Sequence, residues 1–322
     1  MEYNAGMTSS AGTVLCLTMN PSVDVSTHTD RVVPSDKLRC GPAGRDAGGG
    51  GLNVASVVHR LGGSSSALFP AGGPAGQWLT QHLAQSGLNA QALPIAQDTR
   101  ENFTVQALNT GDEYRFVLPG PTLSEAEWQA CLHTVGAWPA PLDFLVASGS
   151  LPLGMPADFY ARLARSARAR SVKMVLDSSG PALAQALQAG VFLVKPNLRE
   201  LRELTGLPLA TAAEWRGAAQ ALIDQDQAEI VALTMGSRGA LVLSRDGAWQ
   251  ADALPLDVVS SVGAGDSFVG AMVWSLQRGH PLPQAFTWAM AAGSAALLTP
   301  GTGLCLPADV QRLQPQVRVV AV

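Results

Sequence analysis

The chain has 322 residues, 47% hydrophobic and 14% charged, the composition of a well-buried globule rather than a disordered or fibrous chain. Twenty-one Lys and Arg against 25 Asp and Glu leave a formal charge of −4, which provides no electrostatic footprint for nucleic acid or an anionic membrane surface. Cys16, Cys40, Cys131 and Cys305 are widely spaced and make no CxxC pair. That spacing argues against a zinc knuckle, a redox dithiol or a disulfide framework, and a reducing, cytoplasmic compartment is expected.

Residues 1–12 read as a tail: an early acid and no basic stretch precede the first apolar run, which is not the pattern of a signal peptide. Apolar runs at 13–19, 143–148, 172–177, 191–196 and 229–235 then alternate with helical patterns. This order predicts an α/β fold, a doubly wound and mostly parallel sheet flanked by helices, over 13–322. Val54, Val57, Val58 and Leu61 mark the apolar stripe of one helix, and Val269, Met272, Val273 and Leu276 that of another, each following a glycine-rich turn. The segments around 102–108 and 113–118 flank Asn109-Thr-Gly-Asp112 and read as an exposed hairpin. With the stretch around Arg31 to Cys40 they predict a small β-sheet lid, in segments at about 25–45 and 99–119. Arginines 162, 165, 168 and 170 read as a solvated helix face. The uncharged run ending in 285–298 is too short to span a bilayer and reads as a buried helix.

In doubly wound sheets ligands gather beyond the carboxyl ends of the strands, so residues after each run deserve inspection. There the chain carries Asn20-Pro-Ser-Val-Asp24, Ser148-Gly-Ser-Leu-Pro152, Asp177-Ser-Ser-Gly180, Lys195-Pro-Asn197 and Thr234-Met-Gly236. The turn Val262-Gly-Ala-Gly-Asp266 opens a helix, where the amides of Gly263, Ala264 and Gly265 can converge on a phosphoryl group. Asp266 beside them can take a proton from an attacking hydroxyl, although the turn alone also fits an acid that merely satisfies helix donors. Gly48-Gly-Gly-Gly-Leu-Asn53 opens another helix and lets backbone approach a ligand, with Asn53 and Asp24 as candidates for sugar hydroxyls; a flexible loop with a capping Asn is the plainer account. Asn197 and Glu200, three apart at a helix start, suit the water shell of Mg²⁺ or else a capping box.

Other chemistries fail on paper. None of the three lysines, at 37, 173 and 195, follows a glycine, so a Walker A loop is absent, and no GxGxxG joins a strand to a helix. Gly265-Asp-Ser267 is similar to the start of a serine hydrolase motif, but only His280 follows it, without an acid–histidine partner motif.

Taken together, Gly48 to Ala55, Ser148 to Pro152, Lys195 to Glu200 and Val262 to Asp266 resemble the ribokinase/PfkB family of sugar kinases, and the resemblance runs from about Leu15 to Leu306. Lys37 to Cys40, Phe69 to Gly73, Thr99 to Asn102, Tyr114 to Gly120, Asp177 to Gly180 and Gly301 to Cys305 most resemble the 6-phosphofructokinase branch of that family. The resemblance implies transfer of the ATP γ-phosphoryl group to the C1 hydroxyl of fructose 6-phosphate, with Asp266 as base and the amides of Gly263 to Gly265 as anion hole. It implies Asp24, Gly49 and Asn53 against the sugar, with Arg100 and Arg115 at its phosphate. Lys195, Asn197, Thr234, Gly236 and Ser294 are expected along the nucleotide, Asn197 and Glu200 near Mg²⁺, and Lys37 at ATP, from a neighbouring subunit in some relatives. A K⁺ loop would open at Ser260-Ser261, where many relatives carry Asp or Asn. A homodimer through the lid is expected, with no nucleic-acid or membrane partner. Gly50 stands where 1-phosphofructokinases and tagatose-6-phosphate kinases, the rival activities, often carry Lys. Ser56 and Gly303 stand where relatives often carry Arg. A non-catalytic sugar or nucleotide sensor is the rival of another class.

Overall fold

The computed structural model describes residues 13–139, 141–301 and 303–322. The expected tail at 1–12 lies outside them, as does Thr302 of the last motif. The chain begins with β1 (Thr13–Leu17), β2 (Ser22–Thr29), β3 (Gly44–Gly48), α1 (Gly50–Arg60), β4 (Ser65–Ala71), α2 (Gly73–Gln85) and β5 (Asn89–Pro94). It continues through β6 (Arg100–Ala107), β7 (Glu113–Phe116), α3 (Glu125–Gly136), β8 (Leu142–Ser148), α4 (Phe159–Ala169), β9 (Lys173–Asp177), α5 (Gly180–Ala189) and β10 (Val191–Val194). Then come α6 (Leu198–Thr205), α7 (Ala212–Asp224), β11 (Ala228–Thr234), β12 (Ala240–Ser244) and β13 (Gly247–Ala251). The last elements are α8 (Ala264–Gln277), α9 (Leu282–Ala296), α10 (Pro307–Leu313) and β14 (Val319–Ala321).

Ten strands form one sheet in the order β14-β13-β12-β11-β10-β9-β8-β1-β4-β5. Strands β5 through β11 of this row pair in parallel, and β12, β13 and β14 extend it antiparallel. Both faces are covered because side chains alternate along each strand. Leu15 and Leu17 of β1 pack with α4, α5 and α7 on one face. Val14 and Cys16 pack with α1, α2, α8 and α9 on the other. A further layer, with Val310 and Leu313 of α10, covers the outer side of α8 and α9. The doubly wound expectation is borne out, and the five apolar runs coincide with β1, β8, β9, β10 and β11. Of the strands that sequence did not single out, β4 is buried but opens on Ser65 and Ser66 and carries Pro70, β5 is a half-exposed edge, β12 and β13 form a hairpin at the antiparallel end, and short β14 closes that edge. The uncharged run folds as α9, and no helix among the described residues is long and apolar enough to cross a membrane.

A second sheet, in the order β3-β2-β6-β7, stands on the carboxyl-end side. The anticipated hairpin is β6 and β7, with Phe103 opposite Phe116 and Thr104 opposite Arg115. Arg31 to Cys40, expected to contribute to this sheet, is instead a loop between β2 and β3. Pro34 cannot donate to a ladder and Ser35 has φ 61°, so no strand continues there. The loop is still held down: Thr27 Oγ1 donates to the Gly41 carbonyl and Thr29 Oγ1 to that of Arg39.

Candidate active site

The order of the large sheet reverses around β1, whose neighbours are β8 and β4, so a crevice opens beyond the carboxyl ends of β1 and β8. Helix α1 starts on that rim. Its cap is Gly49, at φ 120°, rather than Asn53, and Leu52 N donates to Thr18 Oγ1 at 2.7 Å. A Cβ on Gly50 would overlap Ser148 Oγ and come within 3.1 Å of Asp266 Oδ1, so backbone without a side chain fills this approach.

Helix α8 enters from the far end of the chain. Gly263 caps it in the left-handed region at φ 75°, and Asp266 sits in its first turn. This directs the opening amides of the helix, with their partial positive charge, into the crevice. Asn53 Nδ2 donates to Asp266 Oδ2 at 2.8 Å. Burial, aided by the nearby charge of Asp177, pushes the Asp266 carboxyl up to about 6, against the opposing effects of Asn53 and Lys195. A carboxylate in that range is suited to accept a proton near neutral pH.

Lys195, only 5% exposed, follows β10, and its Nζ lies 3.1 Å from Asp177 Oδ1 at the end of β9. Burial disfavours its charge, but Asp177, Glu200 and Asp266 outweigh that and hold the ammonium above its ordinary value. A Cβ on Gly265 would lie 3.7 Å from Lys195 Nζ, so the ammonium adjoins the amide turn. Asn197 and Glu200 form a reciprocal capping box on α6, with Asn197 N donating to Glu200 Oε2 at 2.8 Å and Glu200 N to Asn197 Oδ1 at 2.9 Å. Burial raises the Glu200 pKa, against the Asn197 hydrogen bond and Lys195. Thr234 bridges to Asn197, and Gly236, at φ 60°, has open space where a side chain would stand. Ser294 is buried on α9, one residue after Gly293, whose missing side chain lets α9 approach the Ala264 carbonyl.

One face of the small sheet carries Ser22 and Asp24 of β2 beside Arg100 and Asn102 of β6. Asp24 Oδ1 accepts from Ser22 Oγ at 2.7 Å and from Asn102 Nδ2 at 2.9 Å. Arg100 donates to the carbonyls of Leu118 and Asn20, and burial lowers its pKa, with Asp24 opposing. Arg115 shares that face through its register with Thr104, four residues along β6 from Arg100, or about 13 Å. It is exposed, as is Lys37 on the 31–43 loop, and the structure brings neither into the Asp266 cluster. Ser56 bonds inside α1 to the Leu52 carbonyl, and a Cβ on Gly303 would overlap Thr299 Cγ2.

The hydrolase reading has no geometry behind it. Ser267 is fully buried and its Oγ accepts from Cys305 N, while His280 pairs with Ser275. A cavity of about 550 Å³ lined by Arg168, Lys173 and Asp226 lies at the opposite, amino-end edge of the strands. Residues that the sequence reading left without a role are Ser148, Asp177 and Thr18; their signal was position, each ending or following a strand.

The pfkB family carbohydrate kinase model matches residues 17–309. The chain belongs to this family. It is a phosphotransferase of the carbohydrate kinase type, which uses ATP as phosphoryl donor. This pfkB kinase is 47% identical over 299 residues to the ATP-dependent 6-phosphofructokinase isozyme 2 of Mycobacterium tuberculosis, covering 93% of this chain and 88% of that one. It is 32% identical over 306 residues to the 1-phosphofructokinase of Bacillus subtilis, covering 95% and 99%. Among solved structures it is similar to phosphofructokinase-2 from Escherichia coli in complex with potassium, with TM-score 0.91, 37% identity and coverage of 95% and 99%.

Proposed function

We propose that this kinase transfers the γ-phosphoryl group of ATP to the C1 hydroxyl of fructose 6-phosphate, giving fructose 1,6-bisphosphate and ADP. The observation that carries the reading is Asp266, a desolvated carboxylate at the mouth of a helix whose opening amides face the same crevice. Asp266 accepts the hydroxyl proton while the amides of Gly263, Ala264 and Gly265 stabilise charge on the transferring group. Asp24, Gly49 and Asn53 hold the sugar, and Arg100 and Arg115 read its phosphate through paired N–H donors.

Lys195, Asn197, Thr234, Gly236 and Ser294 line the nucleotide side, and Lys37, exposed on its loop, serves the nucleotide of a neighbouring subunit. The residues present fit Mg²⁺ held through water: one oxygen of Glu200 is committed to its cap, which leaves the other for the ion's water shell. When bound, Mg²⁺ neutralises charge on the phosphates. A potassium site at the Ser260-Ser261 loop is supported by the potassium complex of the Escherichia coli relative.

The lid segments, about 25–45 and 99–119, close over the sugar and pair two subunits. The outward face of β6 and β7 carries Phe103, Tyr114 and Phe116, with Val117 and Leu118 following, all exposed. Apolar surface of that extent on a sheet calls for cover, and a second copy supplies it.

Fructose 6-phosphate is favoured over the substrate of a 1-phosphofructokinase by Gly50. A coupled ADP-release assay with fructose 6-phosphate, fructose 1-phosphate and tagatose 6-phosphate offered separately tests the reading. Turnover preferring fructose 6-phosphate supports it; preference for another sugar reassigns the substrate, and no turnover favours a sensor.

A further inference from the structure

Two polar atoms near the sugar side of the crevice are buried and make no hydrogen bond among the described residues: Asn20 Oδ1 and Arg100 Nε. Asn20 is 7% exposed, so its unpaired oxygen carries a real desolvation cost that a native fold retains for a reason. The residue is tied on every other side. Its main-chain carbonyl accepts from Arg100 Nη2 at 2.9 Å, and its Nδ2 donates to Ser150 Oγ at 3.2 Å. Gly120, on the segment that leaves β7, lies against its amide so closely that a Cβ there would overlap Oδ1. The same segment binds Arg100 Nη1 through the Leu118 carbonyl, and Asn102 Oδ1 through Leu118 N.

This arrangement has a direction. Because Nδ2 occupies an acceptor position on Ser150, the serine must point its own proton elsewhere, and Ser150 is exposed on the rim. Because two carbonyls each take one N–H from the terminal nitrogens of Arg100, the guanidinium plane is fixed with Nε–H still to be satisfied. The exposed Ser150 hydroxyl and the terminal N–H groups of half-buried Arg100 that the carbonyls leave over are thereby held around one asparagine, and a partner that accepts from both is an anion with several acceptor oxygens.

We propose that Asn20 is a positioning residue for the phosphate-bearing end of the sugar, acting through Ser150. This rests on the phosphosugar reading above and goes beyond it by naming what organises the phosphate donors. Asn20 touches no reacting atom. Its side chain sets the donor direction of Ser150 before the substrate arrives, so its effect falls on recognition of the phosphate and not on the chemical step.

The test compares fructose 6-phosphate with unphosphorylated fructose in purified wild type, Asn20→Ala, Ser150→Ala and the double variant. With Asn20→Ala the ratio of kcat/KM for the two sugars is expected to fall about tenfold, mostly through KM for the phosphosugar, the scale of one hydrogen bond to a charged group. Ser150→Ala is expected to show the same loss, and the double variant no further loss, because the two act as a unit. An unchanged selectivity ratio in Asn20→Ala, or additive losses in the double variant, overturns the proposal. If Asn20→Ala does not fold, Asn20→Asp keeps the shape and is expected to lower the ratio by more than tenfold, since it sets a carboxylate beside a dianion; an unchanged ratio there is equally fatal. Wild type separates the two claims. If it turns over another phosphosugar instead, the substrate assignment fails, and the same ratio measured with that sugar and its unphosphorylated form still decides the role of Asn20.

Discussion

Asn53 and Asp266 are 213 positions apart in the chain and share a hydrogen bond of 2.8 Å. The bond favours the ionised carboxylate, while burial and then the charge of Asp177 favour the protonated one, and the balance leaves Asp266 at about 6. Activity is therefore expected to rise with pH through about 6 as the base ionises. Stability runs the other way. A carboxyl raised in the folded state binds its proton more tightly there than in the unfolded chain, so its contribution is complete below about pH 4 and is lost as pH climbs through about 6. Asn53→Leu removes a term that favours ionisation and should move the acid limb of kcat/KM upward by about half a unit or more. A pH–rate profile checks this, and an unmoved limb would detach Asn53 from the titration.

Asp266→Asn is expected to lower kcat by about 10²–10⁴-fold and leave ATP binding within a few-fold, since the amides of the turn remain. The same change relieves a buried charge, so the melting temperature should rise by about 2–4 °C. Calorimetry together with single-turnover kinetics reads both effects. Near-normal turnover would end the assignment of Asp266 as base.

Lys195→Met should destabilise the fold by about 3–5 kcal/mol, because it leaves Asp177 inside without its cation. Adding Asp177→Asn should recover a good part of that loss. Denaturant unfolding of the two variants measures it, and equal stability of single and double variants would show that the pair is not coupled.

Glu200→Gln retains a capping residue at the third helical position, so α6 should remain folded while the carboxylate is lost. The Mg²⁺ concentration for half-maximal rate is then expected to rise about tenfold, with the circular dichroism spectrum unchanged. A Mg²⁺ titration that overlays the wild type would remove Glu200 from the metal's surroundings.

Phe103 and Phe116 face each other across β6 and β7, at 40% and 53% exposure. Replacing both with Ser should turn a dimer into a monomer by light scattering, with little loss of melting temperature, since neither is part of the core. A wild-type monomer at the same concentration would refute dimerisation through this face.

Five of the buried strands were legible as apolar runs, whereas buried β4, which opens on Ser65 and Ser66 and carries Pro70, and buried β12 were not singled out. β1, β8, β9, β10 and β11 lie inside the sheet with both faces covered, and their continuous apolar runs mark them. β5 escapes such a reading because an edge strand need not be apolar on both sides, and the loop at 31–43 was misread because being bound to a sheet by Thr27 and Thr29 is not the same as extending its ladder. The candidate site divides in the same way. Gly263 and Asp266 announce themselves through spacing, and the structure brings Asp266 to Asn53 and Gly265 to Lys195. The Asn197 and Glu200 motif was ambiguous on paper because a capping box and a carboxylate near an ion use the same residues, and the fold forms the box. Arg115 and Lys37 could not be placed by sequence, since exposed positions on a small sheet and a loop leave no periodic trace. Asn20 gave no sign of its orphan oxygen, which arises only when the segment through Gly120 folds back over it.

The crevice draws its parts from distant stretches of the polypeptide: Asp24 and Asn53 from β2 and α1, Asp266 from α8. During synthesis the early segments emerge long before their partner, so the glycine-lined turn at 48–51 waits without the carboxylate that completes it. The site is complete only where α8 is docked against α1, so the contact between these two helices carries the catalytic constellation as well as the core.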